Sequence, residues 1–313
     1  IEIERCPEGW AGKVNAVREG IERSAFTPEA EFLLFTDADC VLHPSCLRAS
    51  AALADDRGLD LLSFLSEYPA ENWFESIVQP FAGFELLRQY PLLRANRTDD
   101  RQRAFANGQF MLFRAAFYRE IGGHAGVRDE LLEDLALARA VKQCGGRGGA
   151  LFGGGIVRCK MYDRWDDFKR GWKRIYTEAG QRRSARLRTA AWRLRALCVL
   201  LPALTLALGL GAWAACRAWG GSWGPCWLSL AVAIAGVVPA SWAMWRIMRM
   251  ARAPLFAIPL APLGAWTVSS LLFEAARDLA SGQPTEWGGR SDTREDRSKL
   301  GVPGPAGGAG GGS

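Results

Sequence analysis

Three long uncharged windows in the second half of the chain constrain its fold more than any other feature. Each is 21 residues long and contains no Asp, Glu, Lys or Arg: Ala196–Cys216, Pro225–Trp245 and Ala253–Phe273. About 20 apolar residues in a helix span the hydrocarbon core of a bilayer. Most of the acidic residues lie before residue 180. The chain therefore combines a soluble half with a membrane half.

This division predicts four segments. We expect a soluble domain over 1–178, a basic juxtamembrane segment over 179–195, about three hydrophobic membrane segments over 196–281, and a flexible tail over 282–313. The tail ends in a Gly-rich run of low complexity, which is typical of unstructured chain ends.

The net charge of +6 at pH 7 raises the question of nucleic-acid binding. Ten of the 39 Lys and Arg residues lie between Lys169 and Arg195, directly before the first window. A cationic belt beside a membrane segment marks the cytoplasmic side and attracts anionic headgroups. The sequence shows no module that reads nucleic acid. We predict a lipid bilayer as a partner and no nucleic acid.

The loops between the windows predict an orientation. Arg246–Arg252 contains three arginines, so the positive-inside rule places it in the cytoplasm and Arg217–Gly224 outside. We therefore expect a multi-pass cell-membrane protein whose first 178 residues form a cytoplasmic domain. The third window contains Pro254, Pro259 and Pro262. It is therefore either a straight membrane span or a re-entrant or kinked element.

The eight cysteines show no metal-ligand spacing and no C-x-x-C pair. No secretory signal peptide is visible. Reduced cytosolic thiols are expected for five of them: Cys6, Cys40, Cys46, Cys144 and Cys159. Cys216 and Cys226 flank the outer loop. A disulfide between them is an alternative to free thiols, but the sequence does not favour it.

Strand and helix patterns alternate in the first half and predict an α/β domain with a mainly parallel sheet. The predicted strands are Glu31–Thr36, which we expect to be buried, Leu59–Leu65 and Gln109–Phe113. One helix should follow Ser45 as a cap, with Leu47, Ala51 and Leu53 facing inward.

Two further helical stretches are predicted. The apolar stretch from Asn72 to Leu93 has helical spacing and a break at Pro80. It is either a core helix or an interfacial surface for a lipid. Another helix runs from about Glu133 to Cys144, and Gly145 closes it.

Two acidic motifs carry the chemistry. Asp37-Ala38-Asp39 follows a predicted strand, at the sheet edge where open α/β folds bind ligands. Two such carboxylates suit a hard cation such as Mg²⁺ or Mn²⁺, although an acidic turn would look the same. Glu133-Asp134 opens a helix, where the dipole favours anions, so capping alone also explains this pair.

A longer ordered set of residues resembles family-2 glycosyltransferases, and most closely the membrane-bound hopene-associated group. The set comprises Trp10, Gly12-Lys13, Asn15, Gly20, Phe35-Thr36-Asp37-Ala38-Asp39, Asn107-Gly108-Gln109, Met111-Leu112, Arg114, Gly122-Gly123-His124, Glu133-Asp134, Leu137-Ala138-Arg139 and Trp287-Gly288-Gly289-Arg290.

The resemblance implies a GT-A, Rossmann-like nucleotide-diphospho-sugar transferase domain followed by transmembrane helices. It implies inverting transfer of a hexose from a nucleotide diphospho-sugar to a lipid or lipid-linked hydroxyl. The implied roles are metal binding for Asp37 and Asp39, general base for Asp134 with Glu133 beside it, donor binding for Lys13, Asn15, Asn107 and Gly108, and diphosphate or acceptor contacts for Arg170, Trp172, Lys173 and Arg174.

The sequence departs from the family at two places. The family's first strand–helix unit, which holds the nucleotide base, would precede Ile1, so we expect a truncated domain. Processive members carry Gln-x-x-Arg-Trp, whereas this chain has Arg170-Gly171-Trp172-Lys173-Arg174. A processive polysaccharide synthase is therefore the less favoured enzyme, and a catalytically silent membrane scaffold is the alternative outside enzymes.

Overall fold

The computed structural model describes residues 1–3, 5–97, 104–130, 132–219, 223–287, 290–292 and 295–298. The chain divides into two compact units. The first unit comprises Ile1–Phe168 and Trp245–Ala261, and the second comprises Lys169–Met244 and Pro262–Ser313.

The first unit is built from short strands and helices. Its described strands are β1 (Phe32–Phe35), β2 (Cys40–Leu42), β3 (Leu61–Leu65), β4 (Met111–Arg114), β5 (Gly148–Phe152) and β6 (Val157–Cys159). Its described α-helices are α1 (Gly12–Glu22), α2 (Cys46–Arg57), α3 (Trp73–Ile77), α4 (Gln79–Gln89), α5 (Leu92–Ala95), α6 (Ala115–Glu120) and α7 (Glu133–Gln143). Short 3₁₀ turns lie at Thr27–Glu29, Gly123–Val127 and Leu255–Leu260.

The remaining elements belong to the second unit or connect the two units. They are α8 (Trp165–Ala179), α9 (Ser184–Arg195), α10 (Leu201–Ala218), α11 (Trp223–Met250), α12 (Ala261–Ser281), β7 (Thr285–Trp287) and β8 (Arg290–Asp292). A π-helical segment, Ala196–Leu200, joins α9 to α10.

The central sheet is mixed, which corrects the prediction of mainly parallel pairing. Its strand order is β1-β4-β3-β5. Strand β4 pairs antiparallel with both β1 and β3, and only β3 and β5 pair in parallel. A second correction concerns β1, which was expected to be buried but is half-buried along its length. Within the described sheet β1 is an edge strand, so one side of it lacks a neighbour.

Side-chain alternation along β3 and β4 builds two hydrophobic layers. Successive strand residues point to opposite faces. Leu61 and Phe113 therefore pack in one layer with residues of α1, α6 and α7. Leu62 and Phe64 pack in the other layer with Ala54 of α2. The first unit is thus a sheet with helices on both faces, as the α/β prediction requires.

Local signals set the helix ends in this unit. Gly145, with φ +83, follows the last turn of α7, as predicted. Asn72 and Glu75 form a capping box at the start of α3. Pro80 lies in the first turn of α4, so the apolar stretch forms two helices instead of one.

The prediction for α2 was partly wrong. Ser45 precedes the helix, but its side chain contacts Nδ1 of His43 at 2.7 Å instead of capping the helix. Leu47 is exposed, because the buried stripe consists of Cys46, Ser50 and Ala54.

Three helical stretches are long and apolar enough to cross a membrane: Ser184–Ala218, Cys226–Met250 and Leu255–Ser281. The most apolar parts of the first two are only 6% and 11% buried, against 44% for the third. Exposed apolar side chains along the first two stretches are those that lipid would cover.

Helices α10 and α11 approach each other through small residues. A Cβ added at Gly209 would overlap the side chain of Ala233, and one added at Gly236 would overlap Thr205. Small side chains let apolar helices pack closely where lipid surrounds them.

The second unit contains a disulfide that the sequence did not favour. Cys216 at the end of α10 is bonded to Cys226 at the start of α11, with their Cα atoms 5.6 Å apart. This separation is ordinary for a disulfide. It arises because the helix pairing brings both cysteines to the same end, which their spacing in the sequence does not reveal.

Helix α12 begins after the 3₁₀ turn that contains Pro259, so the third window is not a straight helix from its start. Near its middle, Ser269 and Ser270 accept hydrogen bonds from Arg195 at 2.8 and 2.9 Å. Near its end, Asp278 forms an ion pair with Lys173 of α8. Gly288, Gly289 and the tail after Gly301 lie outside the described residues.

Candidate active site

Lys13 joins the two acidic motifs. Its ammonium group lies 2.7 Å from Oδ1 of Asp37 and 2.7 Å from Oε1 of Glu133. Burial lowers the pKa of Lys13, but the charges of Glu133 and Asp37 together raise that pKa above its ordinary value. Lys13 is therefore a cation held between carboxylates. We call Lys13, Asp37, Glu133 and Asp134 the carboxylate cluster.

Glu133 and Asp134 enter this cluster from the first turn of α7. The Glu133 side chain is buried, so its ion pair with Lys13 offsets the cost of removing the carboxylate from water. Asp134 accepts a hydrogen bond from the backbone N–H of Gly108 at 2.9 Å and another from that of Leu135 at 2.7 Å. Both oxygens of Asp134 are thus oriented by backbone donors.

The Asp134 carboxyl has an unusual pKa. Burial raises this pKa to about 6, and the nearby charge of Glu133 adds to the rise. Lys13 and the N–H groups of Gly108 and Leu135 act in the opposite direction and limit the shift. A carboxylate with a pKa near 6 is mostly ionised at neutral pH and accepts a proton more readily than an ordinary aspartate.

Gly108 gives the backbone access to the cluster. A Cβ at this position would lie 3.4 Å from both Oδ2 of Asp134 and Nζ of Lys13, so glycine leaves the space between them open. Asn107 holds the turn in place, because its Nδ2 donates to the carbonyl of Phe64 at 3.2 Å and to Oε1 of Gln109 at 3.0 Å. Any donor contact of these two residues remains a prediction.

Asp37 and Asp39 follow β1 and have different surroundings. Asp37 faces Lys13, whereas Asp39 is exposed and lies beside the thiol of Cys40, at 3.8 Å from its sulfur. Carboxylate oxygens are the ligands that Mg²⁺ and Mn²⁺ take, and Asp37 already binds a positive group. The chemistry of these two side chains suits a hard divalent cation, and their joint binding of one stays a prediction.

Among the described residues, the one grouping of three metal-ligating side chains is Asp39, Cys40 and Cys159. Sequence reasoning missed this grouping. Cys159 reaches Cys40 only through the pairing of β6 with β2, and no local signal in the sequence indicates that pairing.

Asn15 has an internal position. Its side chain is 1% exposed, accepts a hydrogen bond from Arg18 at 3.0 Å, and donates to the carbonyl of Arg5 at 3.4 Å. These contacts anchor α1, the helix that carries Lys13. The predicted contact of Asn15 with a donor is untested, and the buried side chain argues for support of α1 instead.

His124 was noted in the sequence only as part of the family pattern. Its ring is buried, its Nδ1 lies 2.7 Å from the Tyr118 hydroxyl, and its backbone N–H donates to that hydroxyl at 2.9 Å. Burial, with a smaller contribution from the charge of Lys13, lowers the pKa of His124 to about 4. His124 is therefore a neutral packing residue at physiological pH.

The four residues predicted to contact diphosphate or acceptor lie on α8 in the second unit. Trp172 is 2% exposed and packs against Tyr176, with ring centroids 5.3 Å apart. Lys173 pairs with Asp278, and Arg170 is exposed. Trp172 is thus a core residue in its unit, while the predicted ligand contacts of Arg170, Lys173 and Arg174 are untested.

With this geometry established, the comparison with protein families decides the fold class. Residues 2–149 match the model of "glycosyltransferase like family 2". This match supports a family-2 glycosyltransferase. It covers Lys13, the Asp37–Asp39 motif, Gly108 and the Glu133-Asp134 pair. The comparison with curated proteins found no match.

The predicted fold class is confirmed in its main features. The chain has a GT-A family domain with a mixed sheet, followed by three apolar helices that could span a membrane. A transferase of this family uses a nucleotide-sugar donor and an acceptor.

Proposed function

We propose that the protein is a membrane-bound inverting glycosyltransferase. It moves a hexose from a nucleotide diphospho-sugar to a lipid or lipid-linked hydroxyl and requires Mg²⁺ or Mn²⁺. The hopene-associated group remains the proposed subgroup. One observation carries the proposal: Lys13 bridges Asp37 and Glu133 directly beside Asp134, so separate parts of the family pattern meet in one cluster.

Asp134 is the proposed general base. Its carboxylate, oriented by Gly108 and Leu135, takes the proton of the acceptor hydroxyl as that oxygen attacks the anomeric carbon. Glu133 and Lys13 set the charge around it. A catalytically silent scaffold would gain nothing from such partly buried carboxylates, because their burial has a cost unless they are used.

A divalent cation held by Asp37 and Asp39 would supply charge neutralisation for the departing diphosphate. Lys13, placed between Asp37 and Glu133, keeps these carboxylates from repelling one another. Its partly exposed ammonium group also presents a positive charge to an anionic donor.

The lipid part of the proposal has separate support. Much of the apolar stretch at α3 and α4 is core, since Phe74, Ile77, Val78 and Phe81 are buried. Trp73 is 51% exposed, however, and α3 packs against the 3₁₀ turn Leu255–Leu260, which also exposes apolar side chains. This leaves an apolar surface on the first unit that suits a membrane interface.

The direct test uses membranes that contain the complete gene product. They are incubated with a panel of nucleotide diphospho-sugars and Mg²⁺ or Mn²⁺, and the lipid extract is analysed by mass spectrometry. We expect a lipid that has gained one hexose. A long polymer would instead establish a processive synthase, and no product with any donor would favour the scaffold.

The acid limb of the pH profile tests Asp134 and Lys13 together. Only ionised Asp134 accepts a proton, so kcat should rise with pH through about 6 and then level off. The charge of Lys13 holds this pKa down, so Lys13→Met should move the limb to higher pH. Steady-state kinetics across this range measures both. Arg23→Met, at the residue that follows α1 and outside the cluster, is the control. An unmoved limb in Lys13→Met would contradict the coupling.

The proposed topology places the catalytic domain and Arg246–Arg252 in the cytoplasm. Within the first unit, Nη1 of Arg252 lies 2.7 Å from Oε2 of Glu67, which supports this loop and the catalytic domain being on the same side. The Cys216–Cys226 disulfide joins the end of α10 to the start of α11, which is the end of α11 away from Arg246–Arg252. A disulfide at that end is in keeping with an oxidising exterior.

Helix α12 then begins and ends in the cytoplasm. It follows Arg252, and its Asp278 pairs with Lys173 on α8, which precedes the first span. We therefore infer that α10 and α11 cross the bilayer, whereas α12 does not.

Single cysteines distinguish these arrangements. The background replaces the six free cysteines by serine and keeps the Cys216–Cys226 disulfide. An impermeant maleimide on intact cells should label Trp219→Cys only, and Arg249→Cys and Ser281→Cys should label after permeabilisation. Labelling of Arg249→Cys from outside would reverse the orientation. Labelling of Ser281→Cys from outside would make α12 a membrane span.

A further inference from the structure

Strands β2 and β6 bring two cysteines face to face. Cys40 and Cys159 are direct partners in this antiparallel pair. Backbone hydrogen bonds join the adjacent pair, from Lys160 N–H to the carbonyl of Asp39 at 3.4 Å, and the pair three positions away, from His43 N–H to the carbonyl of Ile156 at 2.8 Å. Hydrogen-bonded and non-hydrogen-bonded pairs alternate along an antiparallel ladder. Cys40 and Cys159 thus form a narrow pair without mutual backbone hydrogen bonds, where opposite side chains approach most closely.

The carboxylate of Asp39 completes a group of three ligand atoms. One oxygen of Asp39 and the sulfurs of Cys40 and Cys159 all lie within 4.8 Å of one another. With metal–sulfur bonds of about 2.3 Å and metal–oxygen bonds of about 2.0–2.2 Å, a tetrahedral ion separates its ligand atoms by roughly 3.5–3.8 Å. The distance of 3.8 Å between the Cys40 sulfur and Oδ1 of Asp39 already meets this requirement.

We propose that Asp39, Cys40 and Cys159 bind a thiophilic divalent cation of the Zn²⁺ class, with the fourth position open to water. Two thiolates select a soft ion over Mg²⁺, which prefers oxygen ligands. Cys159 is buried and fixes the inner side of the site, while Asp39 is exposed and Cys40 partly so. The ion can therefore enter from solvent.

This site has a consequence that rests on the proposed function. Asp39 is shared with the proposed Mg²⁺ or Mn²⁺ site, so a soft ion bound to the cysteines withdraws Asp39 from the donor. Zn²⁺ should therefore inhibit transfer competitively with Mg²⁺, and removal of either thiol should relieve the inhibition.

Binding is tested without any assay of activity. The full chain carries Cys216→Ser and Cys226→Ser, so that reduction frees no second pair of neighbouring thiols. It is reduced in detergent, freed of metal and titrated with Cd²⁺, whose bonds to thiolates absorb in the ultraviolet. The absorbance should saturate at one Cd²⁺ per chain and persist in excess Mg²⁺. Cys40→Ser and Cys159→Ser should each weaken binding at least about tenfold, since even outer partners of a metal site typically contribute 10–100-fold. Cys144→Ser, at an exposed free cysteine, is the matched control.

The site would be overturned if Cd²⁺ produced no thiolate absorbance in the reduced protein that keeps Cys40 and Cys159. It would also be overturned if the Cys40→Ser variant bound Cd²⁺ as tightly as the protein with both cysteines. Circular dichroism of each variant confirms the fold. Zn²⁺ inhibition is measured separately, on wild type and Cys40→Ser. Cadmium binding without zinc inhibition would keep the metal site and overturn the sharing of Asp39.

Discussion

Asp134→Asn is expected to lower the transfer rate by about 10²–10⁴-fold, the usual effect of removing a general base. This corresponds to about 3–5 kcal/mol at about 1.36 kcal/mol per decade. An amide cannot take the proton of the acceptor hydroxyl. Donor affinity should stay close to that of wild type, because Asp134 is not a proposed ligand of the cation. Single-turnover transfer with saturating donor measures the rate, and calorimetric titration measures the affinity.

A purely structural role at the start of α7 gives a different result. Asp134 lies in the first turn, where Asn loses the attraction between the carboxylate and the helix dipole, about 0.3–1 kcal/mol, but its amide oxygen can keep one of the two backbone contacts. If Asp134 served the helix alone, activity would survive with only a small loss of thermal stability. Asp129→Asn removes a charge from an exposed position shortly before α7 and serves as the control. Near-normal turnover in Asp134→Asn would leave the Glu133-Asp134 pair structural.

Local features of the fold followed from the sequence. Helix α7 lies within one residue of its predicted end, because apolar spacing and a terminal glycine are signals contained in the segment itself. The break at Pro80 was visible for the same reason. The antiparallel direction of β4 could not be predicted, since its pairing with β1 and β3 depends on residues far along the chain.

The candidate site was likewise predicted only in part from the sequence. The ordered motifs indicated Lys13, Glu133 and Asp134 as members of one site, but not that Lys13 would bridge two carboxylates. The sequence also did not show which side chains of the motifs are buried. Asn15 and Trp172 are polar or amphipathic residues in a motif-like context, and only packing shows that both side chains are inside.

The disulfide illustrates a third kind of limit. Cys216 and Cys226 are bonded because α10 and α11 pack closely at Gly209 and Gly236, which fixes the separation of their ends. Spacing along the sequence says nothing about that separation.

Asp39→Asn tests the cation site. A neutral amide is a poorer ligand for a hard cation than a carboxylate. We expect the Mg²⁺ or Mn²⁺ concentration needed for half-maximal donor binding to rise by about 10²-fold or more, because outer-shell changes alone typically cost 10–100-fold. At saturating metal the transfer rate should recover largely, since Asp134 and Lys13 are untouched. Calorimetric titration of nucleotide diphosphate at several metal concentrations measures the shift.

The surroundings of Asp39 make this variant more informative than a change at Asp37. Asp37→Asn also breaks the 2.7 Å ion pair with Lys13 and would disturb the carboxylate cluster, whereas Asp39 is exposed and lies beside Cys40. Asp56→Asn, at an exposed carboxylate on α2, controls for the loss of one negative charge. An unchanged metal requirement in Asp39→Asn, with Asp56→Asn also unchanged, would remove Asp39 from the cation site and leave its carboxylate to the cysteines alone.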